Sequence, residues 1–183
     1  MINGGLRIIG NEKKYKNGFP IITIITVVYN AATILEKTIR SVINQSYQNI
    51  EYIIIDGNSQ DGTLDVIKQY EEKIDYWQSE PDKGIYDAMN KAIELSTGQW
   101  ISFMNAGDLF YDNETIKSVF VSEKMYSGYN IIYGNTILQW DGFTEIKNPG
   151  RDSEMPFCHQ SCFTKLSLLK KYKFDLKYRI HYY

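Results

Sequence analysis

The chain is poor in cysteine. Only Cys158 and Cys162 occur, too few for the disulfide framework that staples small secreted domains. His159 lies between them, but zinc needs a fourth ligand and the sequence offers no second Cys/His cluster. The pair reads as two buried thiols in a reducing compartment. Nor is there any apolar run near the roughly 20 residues a membrane helix requires. The opening MINGGLRIIGNEKKYKNG lacks the apolar core and cleavage pattern of a signal peptide. Positive charge is not in excess either. A formal net charge of −2 leaves no basic footprint for nucleic acid. A cytoplasmic chain without a nucleic-acid partner is expected. What is plentiful is tyrosine, 15 in 183 residues, an aromatic whose polar tip suits clefts as well as cores. The length allows one domain with a proper core.

Residues 1–19 read as a polar, loosely structured leader. After Pro20, the β-branched run Ile21–Val28 suits a strand buried on both faces. Thr33-Ile34-Leu35-Glu36 has the capping-box pattern, and Ile34, Leu35, Thr38, Ile39, Val42 and Ile43 recur at helical spacing, predicting an amphipathic helix over Thr33–Gln45. A second buried strand, Ile50–Ile55, ends in the polar loop Asp56–Thr63, with Asp61 or Thr63 capping a helix around Leu64–Glu72. This alternation predicts a parallel sheet. The loop lacks the G-x-G-x-x-G pattern, which argues against a dinucleotide fold. Asp75–Gln78 makes a third strand. The following helix has Ile85, Ala88, Met89, Ala92 and Ile93 as its core stripe. Lys83, Asp87 and Asn90 lie along a different face, with Tyr86 beside Asn90.

The stretch QWISFMNAGDLF, Gln99–Phe110, holds a short buried strand that stops at Asn105-Ala106-Gly107-Asp108. In an open α/β sheet the carboxyl ends of the strands are where ligands bind. A carboxylate there can hold Mg²⁺ or Mn²⁺, whose shell substrate phosphates commonly complete; the same residues also suit a tight turn. Asp56, at another strand end, can accept a hydrogen bond from a base or ribose edge, or serve the loop alone. A helix near Glu114–Lys124 and a strand at Asn130–Gly134 follow. Asp141-Gly142 between Thr136–Trp140 and Phe143–Lys147 predicts a type I′ hairpin. After the polar loop Asn148–Met155, a last helix is expected at Thr164–Tyr172. The fold class is α/β: a mostly parallel central sheet, helices on both faces and a small antiparallel add-on.

Four blocks taken in sequence, Ile24–Asn30 (IITVVYN), Asp56–Thr63 (DGNSQDGT), Ser79–Asn90 (SEPDKGIYDAMN) and Asn105–Asp108 (NAGD), resemble family 2 glycosyltransferases of the GT-A fold. More narrowly they resemble bacterial transferases that build surface polysaccharides, in which NAGD replaces the D-x-D motif and a His-Gln pair follows M-P-F. The resemblance covers about residues 20–183. It implies a nucleotide-sugar-binding half at 20–112 and an acceptor-side half at 113–183, incomplete at its carboxyl end. Thr26, Val28, Tyr29 and Asn30 would line the nucleotide, and Asp56 would bond the base, uracil N3. Lys83 would approach the diphosphate, and Asp87 and Asn90 would border the donor. Asp108 would hold Mg²⁺ or Mn²⁺ with Asn105 beside it, and His159 and Gln160 would face the sugar or acceptor.

Asn105 departs from the family's carboxylate, which leaves metal affinity to Asp108 and the diphosphate. The family's inverting members draw their base from a segment after the His-containing stretch, and this chain stops at Arg179–Tyr183, about where that segment would arrive. Asp152, Glu154 and His159 are the substitutes within the chain. The implied activity is inverting transfer from a UDP-sugar to a saccharide or lipid-linked acceptor, at the inner face of the membrane through that acceptor. The alternative is a nucleotide-sugar-binding fragment without its base. An apolar patch is expected near Leu168, Leu169, Phe174 and Tyr178, bare or covered by a second copy in a homodimer.

Overall fold

The computed structural model describes residues 1–148 and 158–178. Its centre is a parallel sheet built by the three β-branched or aromatic runs and a short fourth strand. These are β2 (Ile22–Val28), β3 (Ile50–Asp56), β4 (Tyr76–Ser79) and β5 (Trp100–Phe103), after a short β1 (Ile2–Gly4). Every residue of β2 and β3 is buried, which is why both read as unbroken apolar stretches. Their side chains alternate between two cores. Ile22, Ile24, Val28, Tyr52 and Ile54 pack with Leu35, Ile39 and Val42 of α1 (Ala32–Ile43). Ile25, Val27, Ile53 and Ile55 pack with Ala88, Met89, Ala92 and Ile93 of α3 (Ile85–Leu95). Helices therefore cover both faces, with α2 (Thr63–Gln69) beside α1.

Beyond β5 come α4 (Thr115–Phe120), α5 (Glu123–Tyr126) and β6 (Ile131–Tyr133), then the ribbon β7 (Thr136–Trp140) and β8 (Phe143–Lys147). A 3₁₀ turn at His159–Ser161 leads into β9 (Cys162–Lys165) and α6 (Leu166–Lys171). The main sheet runs β1-β4-β3-β2-β5-β9-β6, with β7 and β8 as a separate pair. Asp141 and Gly142 both take positive φ, 42° and 82°, the type I′ geometry expected of Asp-Gly.

Four expectations about the fold are corrected. Residues 1–19 are not loose: β1 pairs antiparallel with β4 through Ile2↔Ser79, and Leu6 is buried. Arg7 pairs with Glu51, which is 1% exposed, and Lys13 Nζ lies 2.6 Å from the buried Asp75. The Thr33–Glu36 capping box does not form. The helix begins at Ala32, its first amides are bonded by another loop, and Glu36 instead meets Arg40 and Tyr70. Thr164 does not open a helix but sits in β9, antiparallel between β5 and β6. There the buried Phe163 meets Phe120 edge-on, ring centres 5.2 Å apart. At the end of the described chain, Leu169 and Phe174 pack against the α3 core, so the exposed apolar group is Tyr172, Leu176 and Tyr178.

One glycine marks how tightly α3 is joined to β5. A Cβ at Gly98 would stand 2.6 Å from Thr23 Oγ1 and 2.7 Å from the Ile21 carbonyl. Backbone cannot yield as a side-chain tip does. Gly98→Ala is expected to cost about 1–3 kcal/mol, read as a lowered urea midpoint at unchanged slope.

Candidate active site

The carboxyl ends of β2, β3, β4 and β5 bring the motif loops to one edge of the sheet. Asp56, the last residue of β3, is fully buried. Its carboxylate accepts the Ser59 amide at 3.1 Å, the Ser59 hydroxyl, and the Ser79 hydroxyl at 2.6 Å. It thereby ties the β3 and β4 loops together. At Gly57 the chains run close: a Cβ would lie 2.8 Å from Asp82 Oδ2 and 3.3 Å from the Tyr29 ring. Burial pushes the Asp82 carboxyl above its usual range, against the opposing pull of the Gly84 amide and Lys91.

The helix amino termini at this edge are already occupied. The amides of Ala31 and Ala32 donate to Thr63 Oγ1 at 2.9 Å and Asp61 Oδ2 at 3.0 Å, and the Ala32 bond holds the Asp61 carboxyl below the ordinary carboxylate range. Asn30 turns through φ 49°, donating its amide to Ser59 Oγ and accepting Gln60 N–H on Oδ1. Before α3, the Lys83 amide donates to Asp87 at 3.0 Å and the Gly84 amide to Asp82 at 2.8 Å. Lys91 bridges Asp87 and Glu80. The Lys83 side chain is exposed and makes no ion pair among the described residues.

After β5 the chain turns sharply. Met104 N–H donates to Ile25 O and Asp108 N–H to Asn105 O at 3.0 Å. Gly107 has φ 99° with its amide on Thr38 Oγ1, and a Cβ there would press Ile34 at 3.3 Å. The 3₁₀ turn packs against this strand. Asn105 Nδ2 lies 3.1 Å from His159 Nε2. The bond needs one donor and one acceptor, so the Asn105 amide orientation and the His159 tautomer are set together. Asn105 Oδ1 is enclosed and, among the described residues, has no hydrogen-bond partner. Gln160 donates to the Asp108 carboxylate; burial nevertheless pushes that carboxyl above its usual range. Burial pushes the His159 imidazole below its usual range, opposed by Asp108.

Among the described residues no three Cys, His, Asp or Glu side chains converge as a metal cluster. The NAGD turn offers one carboxylate and one amide oxygen, of Asp108 and Asn105. Both are hard donors of the kind Mg²⁺ or Mn²⁺ takes, and both fit a cation shared with substrate phosphates rather than a protein-only cage. A cavity of about 460 Å³ lies at the opposite end of β3, beside Ile50, Leu6 and Tyr47. It gathers none of the motif residues.

Residues 23–172 match the profile of glycosyl transferase family 2. The chain belongs to that family. This family 2 glycosyltransferase is 27% identical over 170 residues to a PGL/p-HBAD biosynthesis glycosyltransferase of Mycobacterium bovis, covering 88% of this chain and 66% of the relative. It is 34% identical over 124 residues to a Bacillus subtilis glycosyltransferase assigned to teichuronic acid biosynthesis, covering 63% and 49%. It thus spans two thirds or less of these relatives. Among solved structures it superposes on S. aureus TarS 1–349 with a TM-score of 0.71 at 15% identity, covering 87% of this chain and 52% of TarS. For the Pyrobaculum calidifontis mannosyltransferase PcManGT, solved with GDP-Man and Mn²⁺, the TM-score is 0.69 at 19% identity, with 87% and 49% covered. These likenesses carry the fold, which is GT-A.

Set on that fold, the transferase's motif residues divide. Tyr29, Asn30, Asp56, Lys83 and Asp87 come to the strand-end edge, and Asn105, Asp108, His159 and Gln160 form one bonded group. Thr26 and Val28 belong to the core instead: Thr26 is fully buried with its hydroxyl donating to Met104 O at 2.7 Å, and Val28 is 4% exposed. Strand alternation turns both onto the α1 face. Asn90 commits its amide to the Phe174 backbone, donating at 2.9 Å and accepting at 3.0 Å, while Tyr86 stacks on the Phe174 ring. Asp152 and Glu154 lie outside the described residues. Sequence reasoning passed over Asp82, Ser59 and Ser79. Ser59 was the findable one, three residues after Asp56, a spacing at which a side-chain oxygen reaches a following backbone amide as it does in a cap.

Proposed function

We propose that this chain carries the donor site of an inverting glycosyltransferase that takes a UDP-sugar with Mg²⁺ or Mn²⁺ and serves surface polysaccharide assembly. The observation behind the cation is the occupancy of the helix termini. The amides that would ordinarily receive a diphosphate are held by Asp61, Thr63, Asp82 and Asp87. Carboxylates line the same edge, so a bare diphosphate would be repelled. Asp108 and Asn105 Oδ1 would hold the cation, which when bound offsets the charge gathering on the departing diphosphate. Lys83, exposed and unpaired among the described residues, would reach the same phosphates.

Asp56 acts in this reading by fixing the loop under the base, since Ser59 and Ser79 already claim its oxygens. Tyr29 and Gly57 border the space above. His159 is badly placed as the base that deprotonates the acceptor hydroxyl: Asn105 engages its Nε2, and burial lowers its affinity for a proton. That role falls to Asp152 or Glu154. The relatives' names carry the biosynthetic setting, PGL/p-HBAD for one and teichuronic acid for the other, and TarS has been solved with UDP-GlcNAc. No described helix is long and apolar enough to cross a membrane. In this reading membrane association would run through a lipid-linked acceptor on the cytoplasmic side.

Thermal shift with UDP, GDP and NAD, each with and without Mn²⁺, tests the reading. At a concentration a hundredfold above Kd, UDP should add about 2.7 kcal/mol, a rise of roughly 5–10 °C for a domain of this size. That rise should need Mn²⁺. A shift from UDP that Mn²⁺ leaves unchanged would remove the metal from the site, and a larger shift with GDP would replace the base.

A further inference from the structure

We infer that α1 is the rail on which the NAGD turn is set, with Thr38 and Ser41 on the helix and Thr26 in the core as positioning residues for Asp108. The rail itself rests on geometry; that it serves a cation and a nucleotide rests on the donor-site reading.

Strand β5 leaves the sheet after Phe103, so the chain beyond it needs other partners for its peptide groups. Met104 N–H still reaches Ile25 O at 2.8 Å. Its carbonyl accepts the Thr26 hydroxyl at 2.7 Å. A hydroxyl has one hydrogen to give, so the buried Tyr52 phenol is the donor in its 3.0 Å contact with Thr26. Within the turn, Asp108 N–H closes on Asn105 O and Gly107 takes φ 99°, as a type II turn requires.

A turn closed on itself still has to be placed. Three polar side chains of α1, at spacings i, i+3 and i+7, share one helix face and do this. Thr38 Oγ1 accepts Gly107 N–H at 2.9 Å, and Ser41 Oγ accepts Phe110 N–H at 2.9 Å. Gln45 donates to Asp112 O at 2.6 Å and accepts Ile116 N–H at 3.2 Å. The chain leaving the sheet is thus bonded to α1 once per helical turn, and Asp108 falls between the first two bonds. Thr38 is fully buried within the otherwise apolar stripe of the helix, and the Gly107 amide is what its hydroxyl oxygen serves there. Misplacing a group by about 1 Å can cost about 10²-fold even when the change lies far from the chemistry.

The test reads the free protein first. In hydrogen exchange, Thr38→Val should speed the Gly107 amide, and Ser41→Ala the Phe110 amide, by about tenfold. The amides of β3 should not change. Unaltered exchange at both sites overturns the rail whatever the nucleotide does. By calorimetry with MnCl₂ and UDP, Thr38→Val, Ser41→Ala and Thr26→Val should each lower the Mn²⁺-dependent gain in UDP affinity about tenfold. Metal-free UDP affinity should hold, since Asp56, Ser59 and Ser79 fix the loop under the base separately. Thr38→Ser and Thr26→Ser, which keep the hydroxyls, should retain the gain. Two further variants separate stability from placement. Arg7→Ala strands Glu51 at the opposite end of β3 from Asp56 and should keep the full gain. Thr26→Val strands the Tyr52 phenol, so adding Tyr52→Phe should raise the urea midpoint while the gain stays low. A gain that follows the urea midpoint across these variants, or that Thr38→Val leaves untouched, overturns the positioning role. Exchange that responds as expected in a chain with no Mn²⁺-dependent gain at all would overturn the donor-site reading instead, and with it the cation as what the rail serves.

Discussion

Asp108→Asn should eliminate the Mn²⁺-dependent part of UDP binding and lower sugar transfer by about 10²–10³-fold, the usual loss when a group that stabilises departing charge is removed. Asn is nearly isosteric, so the turn at Gly107 stays intact. The fold should gain a little stability rather than lose it. Burial raises the Asp108 carboxyl above its usual range in the folded chain, so the folded state holds that proton more tightly than the unfolded state does. Ionisation at neutral pH therefore works against the fold, and the penalty disappears as pH falls through the raised value. Without metal, Asp108→Asn should melt slightly higher than the parent at pH 7 and level with it in acid. Metal dependence runs the other way. The cation needs the ionised carboxylate, so the Mn²⁺ increment should fade at a higher pH than an ordinary aspartate would give. An Asn variant that kept the full Mn²⁺ increment would transfer the ligand role to another residue.

Arg7→Ala should cost about 3 kcal/mol, a fall in Tm of roughly 6–12 °C, although Arg7 lies in the stretch that reads as a loose leader. Glu51 is 1% exposed and also receives the Thr23 hydroxyl, the Thr97 amide and the Thr97 hydroxyl. Those donors ease its burial, but Arg7 is the cation paired with it. Removing one partner of a buried pair leaves the other charge stranded, whereas removing both can be nearly neutral. Arg7→Met with Glu51→Gln should accordingly recover most of the loss. Denaturant unfolding of the two singles and the double measures the coupling. A loss under 1 kcal/mol for Arg7→Ala would mean that water reaches Glu51 once the guanidinium leaves.

The parallel core was legible because burial on both faces leaves long β-branched runs, and Ile22–Val28 and Ile50–Asp56 have no other reading. The strand β9 was not. Its four residues run straight into α6 with no glycine, proline or polar break, and pairing with β5 and β6, set by no local signal, makes Cys162–Lys165 extended. The leader misled for a similar reason: its order comes from three paired residues and two cations reaching carboxylates many positions away. In the capping box the local pattern was sound but lost to Asp61 and Thr63, delivered by the neighbouring loop. NAGD itself stood out by its place at a strand end. That Asn105 would find His159 was invisible, since only the return of β9 beside β5 brings them within 3.1 Å.

That return has a consequence for how such a chain can diversify. Strand pairing, Trp100↔Lys165 and Ile101↔Thr164, fixes where His159 and Gln160 arrive, and the length of chain between NAGD and β9 does not enter. The β7–β8 ribbon hangs in that interval as a separate sheet, with Trp140, Phe143 and Ile146 exposed. Lengthening, trimming or exchanging the ribbon leaves the registration of the two paired strands untouched. The ribbon is a cassette: its surface can be rewritten for a new partner molecule while the NAGD turn and the His159–Ser161 turn stay in register.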